Sequence, residues 1–337
     1  ASNLIMRSFF FLFALLATVA AAHAKTPDQL RSEFIDQMVS KHGFSRSAVT
    51  RTLYQAELRR PILEAIARPA EKRLNWSEYR DIFLTRSRIL GGVDYWRRHA
   101  ETLARAEKEY GVPPQIIVAI LGVETRYGAN TGGYRVLDAL HTLGFHYPRR
   151  GRFFREQLSH FLRFAREERI PATRPTGSYA GAMGVPQFMP DSFRVYAVDF
   201  DGDGRRDIWH NPVDVIGSVA NYFAKKGKWR AGEAVTWPVS GVTAEHAPLL
   251  AAGAKPSLNP AQLTAAGISF DETPPAGNKV SLMDFETHTG TEYWLGLDNF
   301  YAIMRYNPRT KYAMAVYQLS EAIKDKYVPL ASAGGAG

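Results

Sequence analysis

Residues 113–128 read Pro-Pro-Gln-Ile-Ile-Val-Ala-Ile-Leu-Gly-Val-Glu-Thr-Arg-Tyr-Gly. Proline is tolerated in the first turn of a helix, and glycine is common just after its last turn. The stretch therefore predicts a helix over residues 115–127 with Gly128 as its C-terminal cap. Residues 116–121 are all apolar, which is typical of a helix that is buried on every side.

Glu124 is the carboxylate near the end of this apolar helix. Positions three and four residues apart share a helix face, so Glu124 lies with Ile117, Ile120 and Leu121. Burial makes a carboxylate costly to ionise, so we expect a raised pKa, which suits a general acid at neutral pH. The same position also suits a structural glutamate paired with a buried arginine.

The chain on both sides of this helix is mostly helical, which predicts an α+β fold that is predominantly α-helical. Apolar residues recur every three or four positions over residues 26–109, and further helices are predicted over 152–169, 212–226 and 312–324. Valine, threonine, proline and glycine become frequent from residue 232, where alternation predicts a small β-rich insertion. The predicted organisation is a signal peptide (1–24), an α domain (25–110), a core (111–231), a β-rich domain (232–293), a return to the core with a C-terminal helix (294–330) and a disordered tail (331–337).

The N-terminal residues have the three parts of a secretory signal. One arginine at position 7 precedes an apolar run over residues 9–22, and Ala22-His23-Ala24 forms a small-residue cleavage site. The run is short for a bilayer span of about 20 apolar residues. We expect cleavage after Ala24, a periplasmic protein and no stable membrane insertion afterwards; the alternative is an uncleaved anchor helix.

Composition narrows the classes of function. The chain of 337 residues has no cysteine, which excludes disulfides, thiolate metal sites, a cysteine nucleophile and a lipid anchor on cysteine. Its net charge of +9 favours an anionic partner, either nucleic acid or an anionic cell-wall polymer. No nucleic-acid motif and no basic cluster with interleaved aromatic residues is present, so we expect no nucleic-acid partner.

Residues 199–207 read Asp-Phe-Asp-Gly-Asp-Gly-Arg-Arg-Asp and match the start of an EF-hand loop. Acids fill positions 1, 3, 5 and 9, glycine fills position 6, and position 7 needs only the backbone carbonyl of Arg205. His210 replaces the glutamate of position 12, and nearby Asp214 is the candidate for that last carboxylate. The loop predicts a structural cation, Ca²⁺ or alternatively Na⁺, and no organic cofactor is indicated. The alternative is an acidic surface turn.

Three further groups suit a sugar polymer. Residues 178–190 combine glycines, which let backbone approach a ligand, with Gln187, which can both donate and accept. Tyr222, Tyr306 and Tyr312 carry rings that can stack on sugars. The pair Arg149–Arg150 suits an anion clamp. The alternatives are a turn that packs helices, aromatic residues of the core, and a solvated surface pair.

Five separated motifs occur in a characteristic order. They are Gly122-Val123-Glu124-Thr125-Arg126-Tyr127-Gly128; Gly181-Ala182-Met183-Gly184 with Gln187-Phe188-Met189-Pro190; the acidic loop; Asn221-Tyr222-Phe223; and Asn299-Phe300-Tyr301 to Arg305-Tyr306-Asn307 with Tyr312-Ala313-Met314. Together, over residues 27–326, they resemble the membrane-bound lytic murein transglycosylase B family.

The resemblance implies a lysozyme-like core with an N-terminal α domain and a small β domain, and Glu124 as the sole catalytic carboxylate. It implies sugar sites lined by Ser178, Gln187, Tyr222, Tyr306, Asn307 and Tyr312. It places Arg149 and Arg150 toward peptide stems, and the cation on Asp199, Asp201, Asp203, the Arg205 carbonyl and Asp214. The stretch after Trp209 is one residue longer than the family form, which puts Asp214 in doubt. The lipobox cysteine of many relatives is absent, which indicates a soluble periplasmic member.

The implied reaction is non-hydrolytic cleavage of the β-1,4 bond between N-acetylmuramic acid and N-acetylglucosamine in peptidoglycan, which leaves a 1,6-anhydromuramyl end. Glu124 serves as acid and then as base, because the substrate's own C6 hydroxyl is the nucleophile. The implied partners are the glycan strands and peptide stems, and we expect a monomer. Two rivals are a hydrolytic muramidase with a second carboxylate and a non-catalytic, calcium-stabilised wall-binding protein.

Overall fold

The structure, a computed structural model, describes residues 24–68 and 74–328. The predicted tail, and the predicted signal peptide except Ala24, lie outside the described residues. Within them the helices are α1 Pro27–His42, α2 Arg46–Tyr54, α3 Arg60–Ala67, α4 Trp76–Phe83, α5 Arg86–Arg98, α6 Ala100–Tyr110, α7 Pro114–Thr125, α8 Val136–His146, α9 Gly151–Glu167, α10 Pro190–Tyr196, α11 Pro212–Tyr222, α12 Ala247–Leu250, α13 Pro260–Ala265, α14 Asp298–Met304 and α15 Thr310–Lys326. The strands are β1 Tyr134–Arg135, β2 Thr176–Gly177, β3 Thr236–Pro238, β4 Ser281–Glu286 and β5 Thr291–Gly296.

Helix α7 runs through the main core. Residues 116–121 are at most 2% exposed, which confirms the helix predicted to be buried on every side. It packs against α5, α6, α11 and α15, so each apolar face has a neighbour. Full burial of one isoleucine contributes about 1.5–3 kcal/mol, and three isoleucines in this helix are buried to that degree.

The end of α7 differs from the prediction. The last helical residue is Thr125, so the helix ends two residues before the predicted Tyr127. Arg126 and Tyr127 follow with φ of 51° and 60°, and Gly128 continues with 92°. Two residues with side chains therefore adopt the left-handed backbone before the glycine does. Local pattern cannot predict this, because side chains disfavour that region and only tertiary contacts keep them there.

The predicted β-rich insertion is only partly β. Strands β3, β5 and β4 form one antiparallel sheet in that order, in which Gly296 lies opposite both Thr236 and Ser281. Residues 239–280 are instead mostly turns and bridges with the short helices α12 and α13. Strand β5 also crosses the boundary predicted at residue 293. A small apolar core lies under this sheet and contains Leu263, Ile268, Val280, Leu282 and Leu295.

The predominantly helical α+β fold class is confirmed, since helices form the bulk of the described chain and the sheets are small. Helix α9 begins and ends within two residues of its prediction. Helix α11 stops at Tyr222, and one π-helical turn over Phe223–Gly227 completes the stretch predicted as helix. Within residues 24–68 and 74–328, the helices are too short or too polar to span a bilayer.

Candidate active site

Glu124 lies in the last turn of α7, half-buried, at the contact with α15. The hydroxyl of Tyr312, in the first turn of α15, donates a hydrogen bond to its Oε1. Tyr312 is only 3% exposed. Burial raises the pKa of Tyr312, and the charge of Glu124 raises it further, so the phenol keeps its proton and remains a donor.

Tyr306 also faces Glu124. It lies in the turn between α14 and α15, and burial followed by the Glu124 charge raises its pKa. Its hydroxyl donates to the carbonyl of Pro186 at 2.5 Å. Pro186 belongs to residues 178–190, called here the glycine-rich segment. Its ring stacks on Phe223 with 5.7 Å between centroids and 19° between planes. Tyr306 therefore joins three segments of the chain beside the carboxylate.

The glycine-rich segment is also tied to the end of α7. The hydroxyl of Thr125 donates to the carbonyl of Val185 at 2.8 Å and accepts from the amide of Gly128 at 3.0 Å. Gln187 has a left-handed backbone with φ 54°, and its Nε2 donates to the carbonyls of Thr131 and Gly184 at 3.1 and 2.9 Å. Both amide hydrogens therefore serve the fold, and a ligand would meet the carbonyl oxygen of Gln187.

Ser178 helps to shape the same segment. Its Oγ accepts hydrogen bonds from the amides of Ala180 and Ala182 at 3.2 and 3.1 Å, which closes a tight turn. Gly181 in that turn has φ 84°, and a Cβ there would lie 2.5 Å from Leu140. The two oxygen lone pairs of Ser178 are thus engaged, and its hydroxyl hydrogen is what it can offer to a sugar.

Tyr222 differs from the predicted sugar platform. It is 6% exposed, its hydroxyl donates to the carbonyl of Arg305 at 2.7 Å, and its ring is enclosed by neighbours. The centroid distances are 5.0 Å to Tyr196, 5.5 Å to Phe188 and 4.8 Å to Tyr306. An enclosed ring has no open face for a sugar, so Tyr222 supports Tyr306 and the backbone beside it. Tyr312 is likewise buried and reaches the site through its hydroxyl.

The remaining predicted substrate residues lie apart in the fold. Asn307 is half-buried and follows Tyr306, and its carbonyl accepts from the Arg309 amide at 2.7 Å. Arg149 and Arg150 are exposed in the turn that precedes α9. The Arg150 guanidinium lies over the Phe153 ring at 4.4 Å. Asn307 therefore adjoins the tyrosines that face Glu124, whereas the arginine pair belongs to the α8–α9 end of the core.

The acidic loop brings three of its predicted ligands together. Asp199, Asp201 and Asp203 are exposed, and one carboxylate oxygen of each lies within 4.8 Å of the others. Asp199 also accepts from the amides of Gly202 and Gly204 at 2.7 and 2.8 Å, which curls the loop around this group. Oxygen-only ligands at this spacing fit a hard cation such as Ca²⁺.

Asp214 is placed differently from the predicted last ligand. It is fully buried and lies outside the group of three carboxylates. Its two oxygens accept from the amides of Phe200 and Asp207 at 2.7 and 2.8 Å, and burial raises its pKa. Asp214 thus connects the two ends of the loop from its buried side. The Arg205 amide donates to Asp203 at 2.8 Å, and the cation-binding role of its carbonyl stays a prediction.

One residue outside every predicted motif touches the end of α7. The buried Arg88 of α5 donates from Nε to the carbonyl of Gly122 at 3.0 Å. The pair Gly91–Gly92 in the same helix, where glycine is unfavourable, signals close packing there but does not point to Arg88.

The half-buried carboxylate of Glu124 accepts a hydrogen bond from a buried tyrosine hydroxyl and lies close to the glycine-rich segment 178–190. Such an arrangement suits acid–base chemistry.

Comparison with known proteins identifies the family. Residues 26–321 match the transglycosylase SLT domain. The chain is 45% identical over 302 residues to membrane-bound lytic murein transglycosylase B of Escherichia coli K12, covering 86% of this chain and 81% of that protein.

Solved structures of lytic transglycosylases are also similar to this chain. Soluble lytic transglycosylase SltB1 of Pseudomonas aeruginosa is 49% identical, with a TM-score of 0.83, covering 88% of this chain and 98% of that one. Escherichia coli lytic transglycosylase Slt35 in complex with calcium is 44% identical, with a TM-score of 0.79, covering 88% of this chain and 92% of that one. The chain belongs to the lytic murein transglycosylase B family, as the motifs predicted.

Proposed function

We propose that the protein is a lytic transglycosylase that cleaves peptidoglycan between N-acetylmuramic acid and N-acetylglucosamine without adding water. Family membership supports the reaction class, since the relatives are named lytic transglycosylases and one is named for murein. The single observation that carries the catalytic assignment is the carboxylate of Glu124 bound by the Tyr312 hydroxyl.

In this proposal Glu124 acts twice. As the acid it gives its proton to the glycosidic oxygen while the bond from muramyl C1 to that oxygen breaks. As the carboxylate it then takes the proton of the muramyl C6 hydroxyl, whose oxygen bonds to C1 and closes the anhydro ring. The proton lost in the first step is regained in the second. One residue suffices because the substrate supplies the nucleophile, a known exception to the paired acids of glycosidases.

The tyrosines support this double role. Tyr312 and Tyr306 are protonated at neutral pH, as tyrosines ordinarily are, and burial raises the pKa of each further. Tyr312 can therefore donate to the carboxylate whenever that is ionised, and it fixes the carboxylate's direction. We propose that Gln187, Ser178 and Asn307 meet sugar hydroxyl or acetamido groups beside it, and that Arg149 and Arg150 bind carboxylates of the peptide stems farther along the core.

We further propose a structural Ca²⁺ on Asp199, Asp201, Asp203 and the Arg205 carbonyl, with Asp214 as the buried support of the loop. The clustered carboxylates and the calcium complex of the similar Slt35 support this site.

The signal-like residues 6–24 support export, so we propose a periplasmic monomer that is not inserted in the membrane. We also propose the division at residues 25–110, 111–231 and 232–293, with the last unit extended to Gly296 because β5 ends there.

The ends of the released products test the function. The purified protein is incubated with peptidoglycan sacculi, and the soluble fragments are analysed by mass spectrometry. We expect 1,6-anhydromuramyl ends, lighter by one water than reducing ends. Reducing ends would make the protein a hydrolytic muramidase. Retained binding to sacculi without any fragments would make it a wall-binding protein.

A further inference from the structure

The ring of Tyr127, just after Glu124 in the chain, is inserted between α5 and α7. Glycine makes the room: a Cβ at Gly122 or at Gly92 would lie 2.6 Å from its hydroxyl oxygen. The ring of Tyr95 covers it in a stacked arrangement, with 5.7 Å between centroids and 27° between planes. Glycine is unfavourable inside a helix, so these glycines are explained by the ring they accommodate.

A chain of hydrogen bonds returns from this ring to α7. The Tyr127 hydroxyl donates to the Arg88 carbonyl at 2.7 Å, and the Arg88 Nε donates to the Gly122 carbonyl at 3.0 Å. A second guanidinium nitrogen donates to the carbonyl of Ile82. Residues 122 and 127 are thus tied to the same residue of α5, and Glu124 lies between them.

Arg88 is an unusual residue to bury. It is 7% exposed, and no carboxylate of the described ranges 24–68 and 74–328 forms an ion pair with it. Burial lowers its pKa, and nearby Arg126 lowers it further. Its guanidinium instead donates hydrogen bonds to backbone carbonyls. One of these, the carbonyl of Gly122, lies at the C-terminal end of α7, where the helix dipole favours a positive charge. Its position is therefore explained by that helix end.

The backbone that it secures is strained. Arg126 and Tyr127 both have positive φ, which residues with side chains adopt only when surrounding contacts enforce it. The Tyr127 amide bonds to the Leu121 carbonyl at 3.0 Å, so this turn is continuous with the last turn of α7. We expect the turn to relax if the contacts at Arg88 and Tyr127 are lost, and the carboxylate of Glu124 to move with it.

We propose that Arg88 and Tyr127 are positioning residues for Glu124, and we call the pair the Arg88–Tyr127 lock. The lock holds the end of α7 so that the carboxylate of Glu124 points at the Tyr312 hydroxyl. Neither residue needs to touch the substrate. The kinetic part of this proposal rests on the proposed transglycosylase function; the structural part does not.

The test is the Tyr127→Phe variant, which keeps the ring between the glycines and loses only the hydroxyl. With soluble glycan strands as substrate, we expect kcat to fall by about 10-fold and KM to stay within about two-fold, because an ångström of misplacement is enough for such a loss. Arg88→Lys keeps the charge but loses the fork of donors, so we expect a similar loss of kcat. Tyr95→Phe, in the same ring stack, is the matched control and keeps wild-type kcat.

Crystal structures of wild type and Tyr127→Phe provide a second readout. We expect the Glu124 carboxylate to shift away from the Tyr312 hydroxyl in the variant. Wild-type kcat in Tyr127→Phe, an equal loss in Tyr95→Phe, or an unmoved carboxylate would overturn the lock. Absence of anhydromuramyl products from the wild type would instead refute the proposed function, and the crystal structures would still test the lock.

Discussion

At the residue scale, the carboxylate of Glu124 is positioned by a hydroxyl group from a distant part of the chain. Tyr312 bonds directly to Glu124, and Tyr306 faces it while bonding to the backbone of Pro186. The buried phenols remain protonated at neutral pH, so neither can serve as the base. The acid and base roles are therefore assigned to Glu124 in the proposed reaction.

The first prediction concerns Glu124→Gln. Glutamine keeps the size and polarity of the side chain but cannot donate and then regain a proton. General acid–base catalysis contributes about 10²–10⁴-fold, so we expect release of anhydromuramyl products to fall by at least that range. Binding to sacculi should persist. Exposed Glu245→Gln is the control and should match wild type. Near-normal turnover in Glu124→Gln would remove this residue from the mechanism.

The second prediction concerns Tyr312→Phe, which removes the hydrogen bond to Glu124 and keeps the buried ring. A hydrogen bond to a charged group is worth about 1.5–3 kcal/mol, so we expect kcat to fall by about 10- to 100-fold. The kinetic comparison is with Tyr317→Phe, on the same helix, which should retain wild-type kcat. If KM rises and kcat is unchanged, Tyr312 binds substrate and does not orient the carboxylate.

At the element scale, the acidic loop has three carboxylates at the surface, while its backbone amides are bound by a buried carboxylate. Asp199, Asp201 and Asp203 gather at the surface, and the buried Asp214 holds the loop ends. Clustered like charges repel, and a bound cation relieves this repulsion. The loop should therefore link cation concentration to the stability of the core.

The third prediction follows from this loop. Calcium that binds only the folded protein stabilises it by about 2.7 kcal/mol at a free concentration about 100 times the dissociation constant. We expect the melting temperature to fall with chelator and to recover with added calcium. Asp203→Asn should lose the response, whereas Asp284→Asn, an exposed residue of β4, should keep it. A melting temperature insensitive to both chelator and calcium would contradict the site.

The fourth prediction concerns His141 in α8. It is 4% exposed, and burial lowers its pKa to about 4, with Arg31 and His146 adding to the effect. The unfolded chain therefore binds more protons below pH 6.5, so stability is full above that pH and is lost as pH falls toward 4. From this shift we expect about 2 kcal/mol less stability at pH 5 than at pH 7.

Urea unfolding of His141→Leu measures this contribution. The difference between the variant and wild type in free energy of unfolding should change by about 2 kcal/mol between pH 7 and pH 5. His288→Gln, which alters an exposed histidine, should parallel wild type at both pH values. A constant difference between His141→Leu and wild type would show that His141 binds protons equally in the folded and unfolded states, and would contradict the lowered pKa.

At the scale of the whole molecule, two cores serve different purposes. The main core surrounds α7 and α15 and fixes the groups beside Glu124, while a small separate core lies under β3, β5 and β4. The chain carries a net charge of +9, which favours an anionic polymer such as a wall glycan with carboxylate-bearing stems.

The fifth prediction concerns the proposed export. When the full chain is expressed in a bacterium with a periplasm, N-terminal sequencing of the periplasmic protein should begin at Lys25. Ala24→Phe should block processing, because signal cleavage requires a small residue there. A periplasmic protein that still carries residues 9–22 would contradict cleavage and favour an anchor helix.

What could be predicted from the sequence alone was whatever depends on near neighbours in the chain. Six consecutive apolar residues between a proline pair and a glycine predict the buried α7, and Glu124 follows from helical spacing within it. The carboxylates of the acidic loop alternate within five residues, so their convergence is also a local property. The motif order identified the family, because five short patterns in sequence rarely coincide.

The tertiary structure was needed wherever a role depends on residues far apart. Tyr312 meets Glu124 across 188 positions, Tyr222 meets Arg305 across 83, and Arg88 meets Gly122 across 34. A tyrosine looks the same in sequence whether its ring is open or enclosed, so the enclosure of Tyr222 could not be foreseen. The burial of Asp214 and the left-handed turn at Tyr127 also depend on tertiary contacts. Each is determined by partners that only packing brings within hydrogen-bonding distance.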